Sequence, residues 1–215
     1  MFQYNYIAID GNTGAGKTSL SKMLARDFKA ELILEAFAEN PFLPKSYANR
    51  ERFSLGNEMT FLLDRYEDYV NRIKQFKLYD SLHISDYIFH KTLLYANVNL
   101  PDKDELNLFK RYFNLLFPNL EEPELFVYIH STLDKLIGNI KTRGRDFEQQ
   151  VNPQYLQDVE DEYFKWFAEN QHLRIVIIEA DDLDFVNNPA DYEKIKNLVS
   201  RTFTKGIHQF NLHNE

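Results

Sequence analysis

The chain has 215 residues, 44% of them hydrophobic, which suffices for the buried core of one domain of ordinary size. With 33 acidic against 25 basic side chains the formal charge is −8, which argues against a broad surface for nucleic acid or anionic membrane. No cysteine is present, so disulfides and thiolate chemistry are excluded, and no apolar run approaches the ~20 residues of a membrane helix. A reducing, cytoplasmic setting is expected, with no leader peptide ahead of the glycine-rich loop described next.

The apolar run Tyr4–Asp10 reads as a strand. It feeds directly into Gly11, Asn12, Thr13, Gly14, Ala15, Gly16, Lys17 and Thr18, which match G-x-x-x-x-G-K-[ST]. A helical pattern follows, with Leu20, Met23, Leu24 and Phe28 on one face. Glycines permit close backbone approach, successive N–H groups form an anion-binding nest, and the helix N-terminus adds partial positive charge. Strand, loop and helix together predict a nucleoside triphosphate site, with Lys17 on the β- and γ-phosphates and the Thr18 hydroxyl on Mg²⁺.

Glu31–Glu35 is the second predicted strand, and a helix runs over Glu58–Phe76 with Met59, Leu62, Tyr66, Tyr69, Ile73 and Phe76 at helical spacing. Leu82–Asp86 is a third strand, Asp104–Phe117 a helix, and Leu125–His130 a fourth strand. Leu133, Leu136, Ile137 and Ile140 mark a helix leading into "KTRGRDFEQ", and Pro153 starts another in its first turn. Arg174–Glu179 is the fifth strand, and Tyr192, Ile195, Leu198, Val199 and Phe203 mark the last helix. The alternation predicts an α/β fold: a five-stranded parallel sheet covered on both faces, one domain over 1–204, and a polar, frayed tail over 205–215.

Ligands of such sheets bind beyond the carboxyl ends of the strands, where the sequence sets Asp10, Glu35 and Asp86. Asp10 reads as a cap or ion-pair member. Glu35 is either a turn acid before Asn40-Pro41 or the acceptor of a substrate hydroxyl's proton. Lys141, Arg143 and Arg145 crowd into five residues of an acidic chain, as a solvated basic loop or as a lid that neutralises a transferring phosphoryl group. Gly144 between the two arginines favours a turn, and the lid.

These motifs, in this order, resemble the deoxynucleoside kinase family, P-loop enzymes that phosphorylate the 5′-hydroxyl of deoxynucleosides. "GNTGAGKTS" is similar to its phosphate loop, "EAFAENPFL" to its second-strand motif, "YANRERFSLGNEMTFLLDR" to its substrate segment, "TRGRDFEQ" to its lid and "DDLDFVNNPADYEKI" to its adenine-side loop and final helix. The resemblance implies a three-layer, nucleoside-kinase-like P-loop fold with an arginine-bearing lid, ATP with Mg²⁺ as donor, and a homodimer packed through helices. It further implies Glu35 as general base, Tyr47 and Glu148 on the sugar 3′-hydroxyl, Glu58 at a base-reading glutamine position and Arg65 as a pocket arginine. Asp86 aligns with the glutamate of an animal-branch Glu-Arg-Ser, with Tyr87 in place of the arginine and Lys91 as the substitute cation. In a second register it aligns with a base-reading aspartate. "SDYIF" with the following lysine and aromatic-alanine pair resembles the bacterial deoxyadenosine/deoxyguanosine kinase-like branch. An ionised Glu58 accepts hydrogen bonds, which favours a purine and deoxyadenosine first. Two alternatives share the loop. One is a thymidylate-kinase-type nucleoside monophosphate kinase, which would use Arg50, Arg52, Arg65 and Arg72 on a substrate phosphate. The other is a non-catalytic nucleotide-binding switch.

Overall fold

The computed structural model describes residues 3–36, 40–72, 81–116 and 121–212. Along these the elements run β1 (Tyr6–Gly11), α1 (Lys17–Phe28), β2 (Glu31–Ile33), α2 (Leu43–Ala48), α3 (Arg50–Asn71), β3 (His83–Ser85), α4 (Lys91–Asn99) and α5 (Lys103–Leu116). Then follow β4 (Leu125–His130), α6 (Leu133–Arg143), a 3₁₀ turn at Asp146–Glu148, α7 (Pro153–Glu169), β5 (Arg174–Glu179), α8 (Pro189–Val199) and β6 (Gly206–Asn211).

The central strands are apolar on both faces, and that dictates the layering. Ile7 and Ile9 of β1, Val127 and Ile129 of β4, and Val176 and Ile178 of β5 meet Leu20 and Leu24 of α1, Leu136 of α6 and Ile195 of α8. Their neighbours Ala8, Phe126, Tyr128, Ile175 and Ile177 turn the other way, against Leu94 of α4 and Tyr163 and Phe167 of α7. A third cluster, around Leu62, Phe109 and Phe113, joins α3 to α5.

All strand pairs are parallel, in the order β2-β3-β1-β4-β5-β6. The winding therefore reverses beside β1, and the crevice beyond its carboxyl end is where a ligand of such a sheet sits.

The sheet has six strands where five are predicted. Residues 206–212 are not frayed: β6 pairs with β5 from Gly206 to Asn211, and Lys194 Nζ donates to the Leu212 carbonyl at 2.6 Å, while the rest of the predicted tail lies outside the described residues. The strand escapes a search for continuous apolar runs because it covers one face only. Phe210 turns inward onto Phe203, while Ile207, Gln209 and Asn211 are exposed. The predicted Glu31–Glu35 and Leu82–Asp86 strands shorten, so that Glu35 and Asp86 lie just past the sheet. Helix α3 starts at Arg50, eight residues before the predicted start, because Asn49 caps it by accepting the Arg52 N–H at 3.1 Å. Ile73, Phe76 and Phe117 lie outside the described residues. Helix α4 is unforeseen because its buried face carries Lys91, Thr92 and Asn99.

At the carboxyl edge of β4, His130 Nδ1 lies 2.5 Å from Glu179 and Nε2 lies 3.3 Å from Glu160. The hydrogen bond to Glu160, and then the bond and charge of Glu179, raise the imidazole to about 9 against its burial. An unfolded histidine titrates near about 6.5. The stabilisation is therefore complete below that value and is lost as pH rises through about 9. The difference in Tm between the wild type and His130→Gln is expected to shrink across that window in thermal unfolding. A difference independent of pH would contradict the assignment.

Candidate active site

The phosphate loop is shaped by contacts that leave no room for side chains. Gly14 and Gly16 have φ of 91° and 89°, and a Cβ on Gly14 would lie 2.7 Å from the Leu136 carbonyl oxygen of α6. Asn12 Nδ2 donates to the Leu156 carbonyl at 2.7 Å, and Asn139 Nδ2 of α6 donates to the Gly14 carbonyl at 2.9 Å. The loop is thus pinned to α6 and to α7. Lys17 folds over it, its Nζ donating to the Asn12 carbonyl at 3.3 Å. Burial, with Lys91 nearby, pulls the Lys17 ammonium down to about 8.

Beside the loop is a compact charge cluster. Asp86 Oδ2 accepts the Thr18 hydroxyl at 2.5 Å, and Oδ1 accepts the Glu35 backbone N–H at 2.8 Å. Glu35 Oε1 takes Nε and Nη2 of Arg65, and Oε2 takes Lys91 Nζ at 2.9 Å. Burial pushes the Glu35 carboxyl up, but Lys91 and Arg65 more than reverse this and hold it well below the usual carboxylate range. Asp86 moves the opposite way: burial and then the Glu35 charge raise it. Asp10 accepts the Gly11 N–H at 2.9 Å and the Ile88 N–H at 3.3 Å, and lies 3.7 Å from Lys91, the capping and ion-pairing arrangement.

Farther from the loop, Glu58 of α3 is 1% exposed. Its Oε1 accepts Asn57 Nδ2 at 2.9 Å and Asn99 Nδ2 at 2.8 Å, whereas its Oε2 has no hydrogen-bond partner among the described residues. Burial pushes the Glu58 carboxyl up, against the pull of the Asn99 and Asn57 amides. At the other wall, the end of α6 and the 3₁₀ turn bring Arg143 Nη2 onto Glu148 Oε2 and Arg145 Nη1 onto Oε1 at 3.2 Å. The Tyr47 ring packs 5.5 Å from Phe147 of the same turn. A single cavity of ≈ 350 Å³ is lined by both ends of this arrangement, from Lys17 and Thr18 to Glu58 and Asn99. It has the size of a ligand site.

The sequence profile of the deoxynucleoside kinases matches residues 7–205. The chain belongs to the deoxynucleoside kinase family. Deoxyguanosine kinase of Bacillus subtilis (strain 168) is 34% identical over 194 residues, covering 88% of this chain and 93% of that one. Deoxyadenosine kinase of Lactobacillus acidophilus is 32% identical over 211 residues, covering 89% and 94%. The fold is also that of deoxyadenosine kinase from M. mycoides with bound dATP, at a TM-score of 0.74 and 21% identity over 91% of this chain and 98% of that one. The family member described here is therefore a phosphotransferase.

In this kinase the cavity is lined by Glu35, Tyr47, Glu58, Arg65, Asp86, Arg143, Arg145 and Glu148, all singled out in the sequence, together with Thr13, Lys17 and Thr18 of the loop. Gly11, Asn12, Gly14, Ala15 and Gly16 build the loop beneath it. Arg65 differs from a simple pocket arginine: its guanidinium is spent on Glu35 and on the Thr92 hydroxyl at 2.5 Å, between the Phe61 and Tyr87 rings. Arg50 was singled out only for a substrate phosphate, and sequence reasoning missed Asn57, Tyr95, Asn99 and Tyr155 of the same cavity lining. Each is an isolated polar or aromatic residue in a helix, with no spacing motif to mark it.

Proposed function

We propose that this kinase transfers the γ-phosphoryl group of ATP to the 5′-hydroxyl of a deoxynucleoside, a purine and deoxyadenosine first. The products are the deoxynucleoside 5′-monophosphate and ADP, as in nucleotide salvage. One observation carries the reading: the phosphate loop, Glu35 and Glu58 line the same cavity, and one carboxylate oxygen of Glu58 is buried with no hydrogen-bond partner among the described residues. The triphosphate lies along the loop under Lys17, and the base meets Glu58. In transfer the O5′–P bond forms, the bond from Pγ to the bridging oxygen of ADP breaks, and the hydroxyl proton goes to Glu35.

Glu35 suits this task. It is ionised throughout the working range, Arg65 and Lys91 hold it from both sides, and a carboxylate has lone pairs left for one more donor. Arg143 and Arg145 stabilise the phosphoryl group in flight, while Tyr47 and Glu148 take the sugar 3′-hydroxyl. Asp86 orients the Thr18 side of the site. A Mg²⁺ ion fits there: the Thr18 hydroxyl donates its hydrogen bond to Asp86 and keeps lone pairs for a hard cation, which would supply charge neutralisation on the phosphates. Among the described residues no cluster of three or more His, Asp or Glu side chains forms a self-sufficient metal site, which accords with an ion carried in with the triphosphate.

A substrate that already carries a phosphate suits the pocket poorly. Glu35 and Glu148 share this cavity with Arg65, Lys91, Arg143 and Arg145 and are already paired with them, so these cations are not free for a substrate phosphate. Of the four arginines named for a monophosphate, Arg65 is engaged on Glu35, Arg50 on Asn99 and Arg72 on Asp68, while Arg52 lies over the Phe53 ring and is not part of the cavity lining. A homodimer and a cytoplasmic location complete the reading, without nucleic-acid or membrane partners. Among the described residues no helix is long and apolar enough to cross a membrane. Exposed Leu108, Tyr112 and Leu115, spaced along one face of α5, suit helix-to-helix pairing.

The test is a steady-state screen of the four deoxynucleosides, their ribo-analogues and deoxyadenosine monophosphate with ATP. Turnover of the monophosphate in preference to deoxyadenosine, or no turnover of any nucleoside, would overturn the reading. Lys17 adds a pH signature. It must be protonated to hold the triphosphate, so kcat/KM for ATP is expected to fall as pH rises through about 8. Lys17→Arg keeps its charge there and should move the alkaline limb upward. An unmoved limb assigns the titration to another group.

A further inference from the structure

The polarity of Glu58 is set by two chains of hydrogen bonds, each anchored on a group that can only donate. In the first, the Arg50 guanidinium donates to Asn99 Oδ1 at 3.0 Å, which forces the Asn99 amide nitrogen towards Glu58 Oε1. In the second, the Phe42 backbone N–H donates to Asn40 Oδ1 at 2.9 Å. This turns Asn40 Nδ2 onto Asn57 Oδ1 at 3.0 Å, and so turns Asn57 Nδ2 onto the same Glu58 Oε1. Neither amide can flip without setting oxygen against oxygen or donor against donor. Both chains end on Oε1 and saturate it, leaving Oε2, buried and without a partner among the described residues, as the atom offered to a ligand. Two N–H donors on a carboxylate also favour its charged form.

We propose that Asn57 and Asn99 are positioning residues that hold Glu58 as a hydrogen-bond acceptor, so that this kinase selects nucleosides whose base offers an amine or N–H donor to Oε2. The inference rests on the base-reading role of Glu58. It adds the residues that fix the sign of that reading and the class of base it admits. Bases without a donor on that edge leave a buried carboxylate oxygen unpaired, which is the costly mismatch in recognition of this kind.

The experiment compares kcat/KM for 2′-deoxyadenosine and for purine 2′-deoxyriboside, which has hydrogen in place of the amine. A ratio of two substrates on one preparation cancels the fraction of folded enzyme. The wild type is expected to favour deoxyadenosine by on the order of 10- to 100-fold. Glu58→Gln, with both chains intact, keeps its carbonyl on the two asparagines and turns its NH₂ to the cavity, so the preference for deoxyadenosine should vanish or invert. Asn57→Leu and Asn99→Leu, which do not touch Oε2, should each cut the ratio about tenfold, the worth of a hydrogen bond to a charged group. Arg50→Met, at the half-buried outer end of one chain, should cut it by less and serves if the leucine variants do not fold. If Glu58→Gln moves the ratio while the asparagine and Arg50 variants keep the wild-type value, the positioning chains are overturned and the base-reading role stands. If Glu58→Gln also leaves the ratio unchanged, or the wild type shows no preference, the base-reading role itself fails.

Discussion

Glu35→Gln is expected to lower kcat about 10²–10⁴-fold with little change in the KM for nucleoside. The substitution keeps shape and removes basicity. It also disturbs the neighbours, because Glu35 answers Arg65 on one oxygen and Lys91 on the other. A glutamine has one oxygen for the two cations and must turn its NH₂ towards the second. Some loss of thermal stability should therefore accompany the loss of rate, and the chemical step has to be isolated by single-turnover kinetics at saturating substrates. Asp86→Asn run in parallel separates the roles of the two carboxylates. Asp86 is the one raised by burial and by the Glu35 charge, but it already accepts a hydroxyl and a backbone N–H. A drop of only a few-fold in Glu35→Gln, beside a large one in Asp86→Asn, would transfer the base to Asp86.

The lid substitutions come second in size. Arg143→Ala and Arg145→Ala should each reduce kcat strongly, since a guanidinium aimed at a transferring phosphoryl group is worth roughly 10³–10⁵ in rate. Either alone should fall short of that range, because the two share the task with Lys17. In this structure both arginines grip Glu148, one on each oxygen. Their loss therefore also frees a buried carboxylate in the cavity lining, and nucleoside KM should rise modestly in both variants. The double variant should cost less than the product of the two singles, as for groups that act as a unit. Lysine should rescue poorly, for want of the planar fork. Single-turnover rates across the alanine, lysine and double variants decide it: wild-type transfer with only weaker ATP binding would make the stretch an electrostatic docking loop.

What was legible in the sequence was what is local. The phosphate loop is eight consecutive residues between a strand and a helix, and β4 and β5 are unbroken apolar runs buried on both faces. Features that depend on distant partners were not legible. Helix α4 hides because its buried positions include Lys91, Thr92 and Asn99, whose burial is compensated by Glu35, Arg65 and Glu58 from other elements. Strand β6 hides because an edge strand needs only one apolar face. Glu35 and Asp86 were marked by the ends of their strands, and Arg143 and Arg145 by the crowding of basic residues, but their partners were not. That Arg65 braces Glu35, or that Asn99 faces Glu58, follows from side chains 30 and 41 residues apart meeting in three dimensions.

The central position of β1 bears on how the protein is assembled in time. The strand that delivers the phosphate loop is the first in the sequence, yet its two neighbours are β3 and β4, with Ile7 opposite Ile84 and Leu125. Its pairing has to close stretches of roughly 80 and 120 residues, the kind of topology that slows folding. During synthesis the loop residues emerge before their second wall, which exists only after β4 has followed, and α6 and α7, which pin Gly14 and Asn12, come later still. The geometry of the loop is thus late to mature, because it is complete only once α7 has been made.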